Sequence, residues 1–458
     1  MTRRGRIISL AVLVLALVWP GRDTPAQVRP PNVIVIVADD MGYADIGVYG
    51  SKDIPTPNID ALAATGIRFT DAYVSGPYCS PTRAGLMTGR YQQRFGHEFN
   101  IGPLEMHRDA GLPPDEKTIA NRLRSAGYRT ALLGKWHLGT AARFHPMERG
   151  FDEFYGFLEG DHSYLHPTDP PDRDNNPILD GRTPVAAMSY LTDVLADRAV
   201  EFITREKSHP FFLYLAFSAP HVPMEATDKY LARLTHIPDE RRRTYAAMVS
   251  AMDDGIGRTL SALRVANLDR NTLIFFFSDN GGPIVVAGDN ASSNAPLRGS
   301  KRQTWEGGIR VPFIISWNGR LKSGKTYSRP IIQLDILPTV LAAAGIRLDS
   351  PQTIDGVNLL PYLTGKALGR PHEMLYWRLG GTMAIRKGDW KLVKMSDDGH
   401  MQDPAVLSDL SGAELYNLKD DVGETRNIAA VRPDKVKELA ADWQRWNKDL
   451  QRPRWPSR

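Results

Sequence analysis

Val33-Ile34-Val35-Ile36-Val37-Ala38-Asp39-Asp40-Met41-Gly42 is an unbroken apolar, largely β-branched run that stops at two adjacent acids. It lacks the alternation of a half-solvated strand and so predicts a strand buried on both faces, as in a parallel sheet covered by helices. The pattern recurs at Thr272-Leu273-Ile274-Phe275-Phe276-Phe277-Ser278, which runs straight into Asp279-Asn280-Gly281-Gly282. Thr130 to Leu133 is a shorter apolar run that continues into Gly134-Lys135-Trp136-His137-Leu138-Gly139. Pro210 to Phe217 leads to Ala219-Pro220-His221-Val222-Pro223, and Ile67 to Val74 and Val311 to Trp317 predict further strands. Between them, predicted helices span Thr56 to Ala64 (closed by Gly66), Lys117 to Ala126, Tyr190 to Lys207, Asp239 to Asn267 with a break near Gly255 and Gly257, and Leu334 to Ala344. This alternation up to about residue 365 implies an α/β fold, a mostly parallel central sheet with helices on both faces. Ligands of such sheets bind at the carboxyl ends of the strands, where each polar motif falls.

Beyond Gly365 to Pro371 the character changes. Met383 to Val393 predicts a hairpin turning at Gly388, Glu414 to Leu418 a strand, and Lys435 to Leu450 a terminal helix, together a small antiparallel α+β subdomain. At the other end, Arg3, Arg4 and Arg6 precede the apolar run Ile7 to Trp19 and the small residues Thr24-Pro25-Ala26, a signal-peptide pattern too short for a membrane span. The expected organisation is a signal over 1–26, a large domain over 27–365 and a subdomain over 366–458. The product is expected to be periplasmic or secreted, with no stable membrane insertion. Losing residues 1–26 removes four arginines and one aspartate and lowers the formal charge from +5 to +2, so the basic balance does not argue for nucleic acid. A single cysteine, Cys79, excludes an intramolecular disulfide.

Two acids at the end of a buried strand are costly unless solvated, capping or paired with a cation. Asp39, Asp40, Asp279 and Asn280 can meet at one sheet edge and offer hard oxygen ligands, which suits Ca²⁺ or Mg²⁺ better than zinc. If the chain stays extended, Lys135 and His137 point to the same side, and together they are candidates for an anion site. Two prolines hold His221 in a turn, while Lys301 in Leu297-Arg298-Gly299-Ser300-Lys301 is ordinary by itself. Phe151 to Pro184 reads as an irregular, substrate-facing insertion, with Asp161, His162, Tyr164 and His166 as unassigned contacts. Cys79 lies in Pro77-Tyr78-Cys79-Ser80-Pro81-Thr82-Arg83, where Ser80 is expected to cap a helix, Pro81 to take its first position, and Arg83 to fall one turn from Cys79. Cys79 can be read as a small buried hydrophobe or as a thiolate nucleophile at a helix N-terminus. Neither explains the C-x-P-x-R spacing followed by Thr88-Gly89-Arg90.

That spacing resembles the sulfatase family. So do A-D-D-M-G, G-K-W-H-L-G, A-P-H-V-P, S-D-N-G-G, L-R-G-S-K, E-G-G-I-R-V-P, I-R-K-G-D-W-K-L-V and E-L-Y-N-L, which occur in the family's order over nearly the whole chain. The resemblance implies an alkaline-phosphatase-like fold and a Cys79 oxidised to formylglycine by a formylglycine-generating enzyme. The hydrate of that aldehyde would attack the sulfur of a sulfate monoester, on a sugar or an aryl alcohol. It further implies Ca²⁺, with Mg²⁺ second, on Asp39, Asp40, Asp279, Asn280 and the modified Cys79. Arg83 would hold the hydrate and His137 would help break it down. Lys135 and Lys301 would grip sulfate oxygens, and His221 would serve the leaving alcohol. Two other functions fit the same residues: a phosphonate or phosphate monoester hydrolase, and a non-catalytic protein that binds sulfated glycans.

Overall fold

The first apolar run forms the strand Asn32–Ala38, every residue of it buried, at the centre of a ten-stranded sheet. The computed structural model describes residues 29–102, 105–168, 176–284, 289–348, 352–396 and 403–456; the predicted signal over 1–26 lies outside the described residues. From edge to edge the sheet runs Lys325–Tyr327, Ile67–Phe69, Phe313–Ser316, Thr272–Ser278, Asn32–Ala38, Phe211–Ala216, Arg129–Lys135, Glu153–Phe157, Leu179–Asp180 and Thr183–Pro184. The five strands from Thr272–Ser278 to Glu153–Phe157 are parallel, and antiparallel pairing is confined to the flanks. Side chains of the central strand alternate between two cores. Ile34 and Ile36 pack with helices Pro57–Thr65, Leu191–Arg205 and Glu240–Val265, whereas Val33, Val35 and Val37 pack with Cys79–Thr88, Ile119–Ser125 and Ile336–Ala343. Among the described residues no helix is long and apolar enough to cross a membrane.

Three expectations change. Glu240–Val265 is one continuous 26-residue helix without a break at Gly255 or Gly257. Those glycines are sites of close approach: a Cβ on Gly255 would lie 3.0 Å from that of Ala196, and one on Gly257 would lie 2.4 Å from the Asn58 amide oxygen. Ile67 to Val74 splits into Ile67–Phe69 in the large sheet and Ala72–Tyr73 in a separate two-stranded sheet. The insertion from Phe151 to Pro184 is not wholly irregular, because Glu153–Phe157 is an integral strand paired with Arg129–Lys135.

The predicted hairpin is present, Thr382–Lys387 against Trp390–Lys394, and belongs to a four-stranded antiparallel sheet with Met374–Leu379 and Glu414–Asn417. Helix Pro433–Asn447 covers it through Leu439, Trp443 and Trp446. A buried ion network ties this sheet to helix Glu306–Ile309 and to the two-stranded sheet. The Lys391 ammonium lies 2.9 Å from Glu306 Oε1 and 2.8 Å from Glu424 Oε1. Tyr73 donates its hydroxyl to Glu306 Oε2 at 2.7 Å, Arg310 pairs with Glu306 and Asp71, and Arg386 pairs with Asp71. Burial pushes the Glu306 carboxyl up, but Lys391, Arg310 and Arg386 overcome it and hold it at about 2. For Glu424 burial wins, and its carboxyl is pushed up to about 7.

Removing one partner of such a network leaves the others buried and uncompensated. We expect Lys391→Met to cost about 3–5 kcal/mol in urea unfolding; a loss below about 1 kcal/mol, the scale of an exposed pair, would refute the argument. The His372–Asp335 pair, at 2.7 Å, gives a pH signature. Burial opposes the imidazolium charge, yet Asp335 raises the His372 pKa above its ordinary value. A raised folded-state pKa contributes stability that is complete below the unfolded value of about 6.5 and is lost as pH rises through the folded value. The stability gap between wild type and His372→Gln should therefore be widest in acid and narrow in alkali, and thermal melts showing a gap constant with pH would contradict this.

Candidate active site

The parallel register places Ala38 opposite Ser278, so the residues that follow, Asp39 and Asp279, emerge side by side at the carboxyl edge. On the other flank Val37 pairs with Ala216, and Ala216 with Gly134, which brings Lys135 and the His221 turn to the same edge. Gly134 has a φ of +113°, and a Cβ there would lie 1.9 Å from the Ala216 carbonyl oxygen, so the strand reaches Lys135 in this way only with glycine before it. Helix Cys79–Thr88 is buried along its whole length and begins at this edge.

Cys79 Sγ lies 3.6 Å from Asp39 Oδ1 and 3.8 Å from Asp40 Oδ1. Arg83, one turn along the helix, donates to Asp279 Oδ2 from Nε at 3.0 Å and from a terminal nitrogen at 2.8 Å. Lys135 Nζ donates to Asp39 Oδ2 at 2.6 Å and Lys301 Nζ to Asp40 Oδ2 at 2.7 Å. Burial alone would lower the pKa values of these lysines; Asp39 and Asp40 respectively raise both. Burial pushes the Cys79 thiol up to about 12, outweighing Lys135 and Lys301, so among these carboxylates it is held as the weakly nucleophilic thiol. Burial, reinforced by Asp39, pushes Asp279 up to about 6.

The donor chemistry fits a hard cation. Asn280 donates its amide to Asp40 Oδ1 at 2.7 Å, while its own Oδ1 is buried without a hydrogen-bond partner. An orphaned amide oxygen beside carboxylates is a ready calcium ligand. Ligand atoms of Asp39, Asp40, Cys79 and His221 all lie within 4.8 Å of one another. Thus a histidine and a cysteine distant in sequence join a set that adjacency alone presented as oxygen-only. Asp279 stands outside that tight group: its Oδ2 is held by Arg83 and its Oδ1 accepts from the Asp40 N–H at 3.2 Å.

His137 is not extended. Its φ is +56°, and it takes its place through a turn rather than by alternation with Lys135. Its Nε2 lies 2.9 Å from the Ile101 carbonyl, and Nδ1 is buried and unpartnered. Burial and then Lys135 lower its pKa well below the ordinary value. His221 Nδ1 lies 2.6 Å from the Val222 carbonyl, and its Nε2 lies 3.3 Å from Lys301 Nζ and 3.4 Å from Asp40 Oδ2. Burial lowers its pKa to about 4 against the pull of Asp40.

Ser80 is not the helix cap. The cap is Tyr78, Cys79 is the first helical residue and Pro81 the third. The Ser80 hydroxyl instead donates to the His137 carbonyl at 2.6 Å and meets His97 Nε2 at 2.6 Å, while its N–H is taken by Asn100 Oδ1 at 2.9 Å. The Trp455 ring stands edge-on to His97 at 4.7 Å, and the Trp455 indole donates to the Phe99 carbonyl. His97 and Asn100 went unnoticed in the sequence; the signal was their proximity in Arg94-Phe95-Gly96-His97-Glu98-Phe99-Asn100, whose partners lie far along the chain.

A cavity of about 180 Å³ opens on the cluster, bounded by Asp40, His137, His221 and Lys301 together with Tyr78 and Arg302. Of the four residues singled out in the insertion, Asp161 lines it. Tyr164 is buried and donates to the His221 carbonyl at 2.9 Å, His162 is buried against Phe157, and His166 is exposed. A wider surface cleft of about 800 Å³, beside helix Ile119–Ser125, contains none of the predicted site residues.

Residues 31–346 match the sulfatase family model, and residues 299–451 match the model of the N-sulphoglucosamine sulphohydrolase C-terminal region. N-acetylgalactosamine-6-sulfatase of Sus scrofa is 36% identical over 401 residues, covering 83% of this chain and 74% of the relative. Arylsulfatase G of Rattus norvegicus is 32% identical over a 499-residue alignment, covering 94% and 92%. The crystal structure of Ps i-CgsB, also solved in complex with k-i-k-neocarrahexaose, superimposes with a TM-score of 0.85 at 38% identity, covering 93% of this chain and 95% of that one. With the family model spanning most of its length, the chain belongs to the sulfatase family, sulfuric ester hydrolases on an alkaline-phosphatase-like fold.

Proposed function

We propose that this sulfatase is exported, acts on a sulfate monoester of a saccharide, and uses residue 79 after oxidation to formylglycine by a formylglycine-generating enzyme. The observation that carries this reading is the position of Cys79, at the first turn of a buried helix with its Sγ between Asp39 and Asp40. Residues 27–365 are read as the catalytic domain and 366–458 as a subdomain supporting it. The sugar preference draws on two similar proteins, one named an N-acetylgalactosamine-6-sulfatase and one crystallised with k-i-k-neocarrahexaose.

The oxidised residue 79 supplies, as its hydrate, the hydroxyl that attacks sulfur. Asp39, Asp40, Asp279 and Asn280, beside residue 79, would hold a calcium ion, which would supply positive charge to polarise the ester and favour ionisation of that hydroxyl. The chain's own groups do the rest. Three carboxylates face three cations, Arg83, Lys135 and Lys301, so this cluster is formally neutral and a divalent ion would give it net charge to hold an anionic ester. Lys135 and Lys301, now on Asp39 and Asp40, are placed to turn to sulfate oxygens and stabilise charge growing there. Arg83, clamped by Asp279, fixes a positive charge beside residue 79. With His137 Nε2–H donated to Ile101, Nδ1 is the free base that takes a proton from residue 79 as sulfate leaves. With His221 Nδ1–H donated to Val222, Nε2 faces Lys301 and carries the proton for the leaving oxygen; the negative ester raises its lowered pKa.

In a host that matures sulfatases, mass spectrometry of the tryptic peptide Phe69 to Arg83 should find an aldehyde or its hydrate at residue 79. Cys79→Ala should lower sulfate release by roughly 10³-fold or more, as expected for loss of a nucleophile. An intact thiol with full activity would sink the proposal, and faster hydrolysis of the matching phosphate ester would move it to the phosphomonoester reading. Stripping the protein with chelator should abolish turnover, and calcium at 100 times its Kd should then restore about 2.7 kcal/mol of stability in thermal melts. Absence of any calcium-dependent shift would remove the ion from the mechanism.

A further inference from the structure

Arg302 follows the lysine of the reactive cluster, and no step above uses it. Its backbone has a φ of +71°, a region that a long side chain occupies only where its surroundings impose it. The constraint is visible. The Arg302 N–H donates to the Pro77 carbonyl at 2.7 Å, two residues before Cys79, and the guanidinium lies 5.2 Å from the centre of the Tyr78 ring. Lys301 Nζ lies 5.7 Å from the same ring. In an extended segment adjacent side chains would point to opposite sides, but here Lys301 and Arg302 both line the 180 Å³ cavity.

The other cations of the site are paired: Arg83 with Asp279, Lys135 with Asp39, Lys301 with Asp40. Arg302 is not. Among the described residues no carboxylate pairs with its guanidinium, and its Nε is buried without a hydrogen-bond partner. Leaving a buried donor unmet costs about 1–3 kcal/mol, so an acceptor brought into the cavity would gain by meeting this one. A planar guanidinium braced on an aromatic ring suits an oxyanion, which its fork engages through two donors. The acids that line the cavity are Asp40, paired with Lys301, and Glu159 and Asp161.

We propose that Arg302 is a specificity residue that receives a second anionic group, a sulfate or a carboxylate, on the saccharide bearing the ester to be cleaved. The preferred substrate is then a polyanionic saccharide, not an isolated sulfate ester. This rests on the sulfatase reading of the site. The test measures binding, so that it does not depend on turnover. In the calcium-loaded Cys79→Ala protein, calorimetry compares a monosulfated disaccharide, the same disaccharide with a second sulfate, and one carrying a sulfate and a uronate carboxylate. Arg302→Asn removes the charge yet tolerates the left-handed backbone, and Arg302→Lys keeps charge without the fork. We expect Arg302→Asn to lower the preference for a doubly over a singly charged ligand by about 10-fold or more, with Arg302→Lys in between. The ligand that loses more identifies the group as sulfate or carboxylate. Equal losses on all three ligands, no loss on any, or no binding by the parent would overturn the proposal. Sulfate release by the protein with Cys79 intact, assayed alongside, reports separately on the sulfatase reading.

Discussion

Everything at the carboxyl edge depends on one register, Ala38 opposite Ser278 in two strands buried on both faces. Neither strand can slip without turning its apolar set toward the wrong core, so Asp39 and Asp279 are driven together whatever their charges prefer. The sheet thus concentrates negative charge where no solvent screens it, and the surrounding structure answers that cost with Arg83, Lys135 and Lys301. A site able to bind a cation and an anion together follows from that compensation.

The compensation is held by a second layer of contacts. Arg83 is fixed further by the Lys135 carbonyl and the Tyr214 hydroxyl. The turn carrying His137 is tied to the start of helix Cys79–Thr88 through Ser80, and the Ser80 hydroxyl is tied in turn to His97. The end of the chain closes this arrangement: Gln451 and Arg454 donate their N–H groups to the Gln93 and Gly96 carbonyls, and Trp455 covers His97. Likewise Arg298, on the loop that carries Lys301, donates to the Glu424 carbonyl and the Tyr416 hydroxyl, so the small sheet supports a loop of the reactive centre. A polar cluster this deep stays in one arrangement only if its neighbours are nearly all satisfied, and here they are drawn from the full length of the chain.

The exceptions to that satisfaction are informative. Asn280 Oδ1, His137 Nδ1 and Arg302 Nε are among the buried atoms without partners; Asn280 stands against Asp40 in the carboxylate cluster, and His137 and Arg302 line the cavity. Elsewhere opposite charges close on each other, as in the Glu306, Lys391 and Glu424 network, which shows what this fold does with buried charge that has no outside partner.

By itself the sequence determined the strands, their depth, most helices and the polar residues that end each strand. It could do so because burial on both faces writes an unbroken apolar run, and because the chain changes character where that burial stops. Asp39, Asp40, Asp279, Asn280, Lys135 and His221 stood out for that reason, and Cys79 for its spacing to Pro81 and Arg83, whereas Lys301 ends no strand and drew notice only through the family resemblance. Tertiary structure alone decided that Gly255 and Gly257 are packing contacts inside an unbroken helix, since a glycine that breaks a helix and one that admits a neighbour read alike. It also decided the left-handed turns at His137 and Arg302, the bridging role of Ser80 and the cover that Trp455 gives His97. Periodicity reports how each residue meets water. It carries no record of which distant side chain it meets instead, and the assembly of this site is of that second kind.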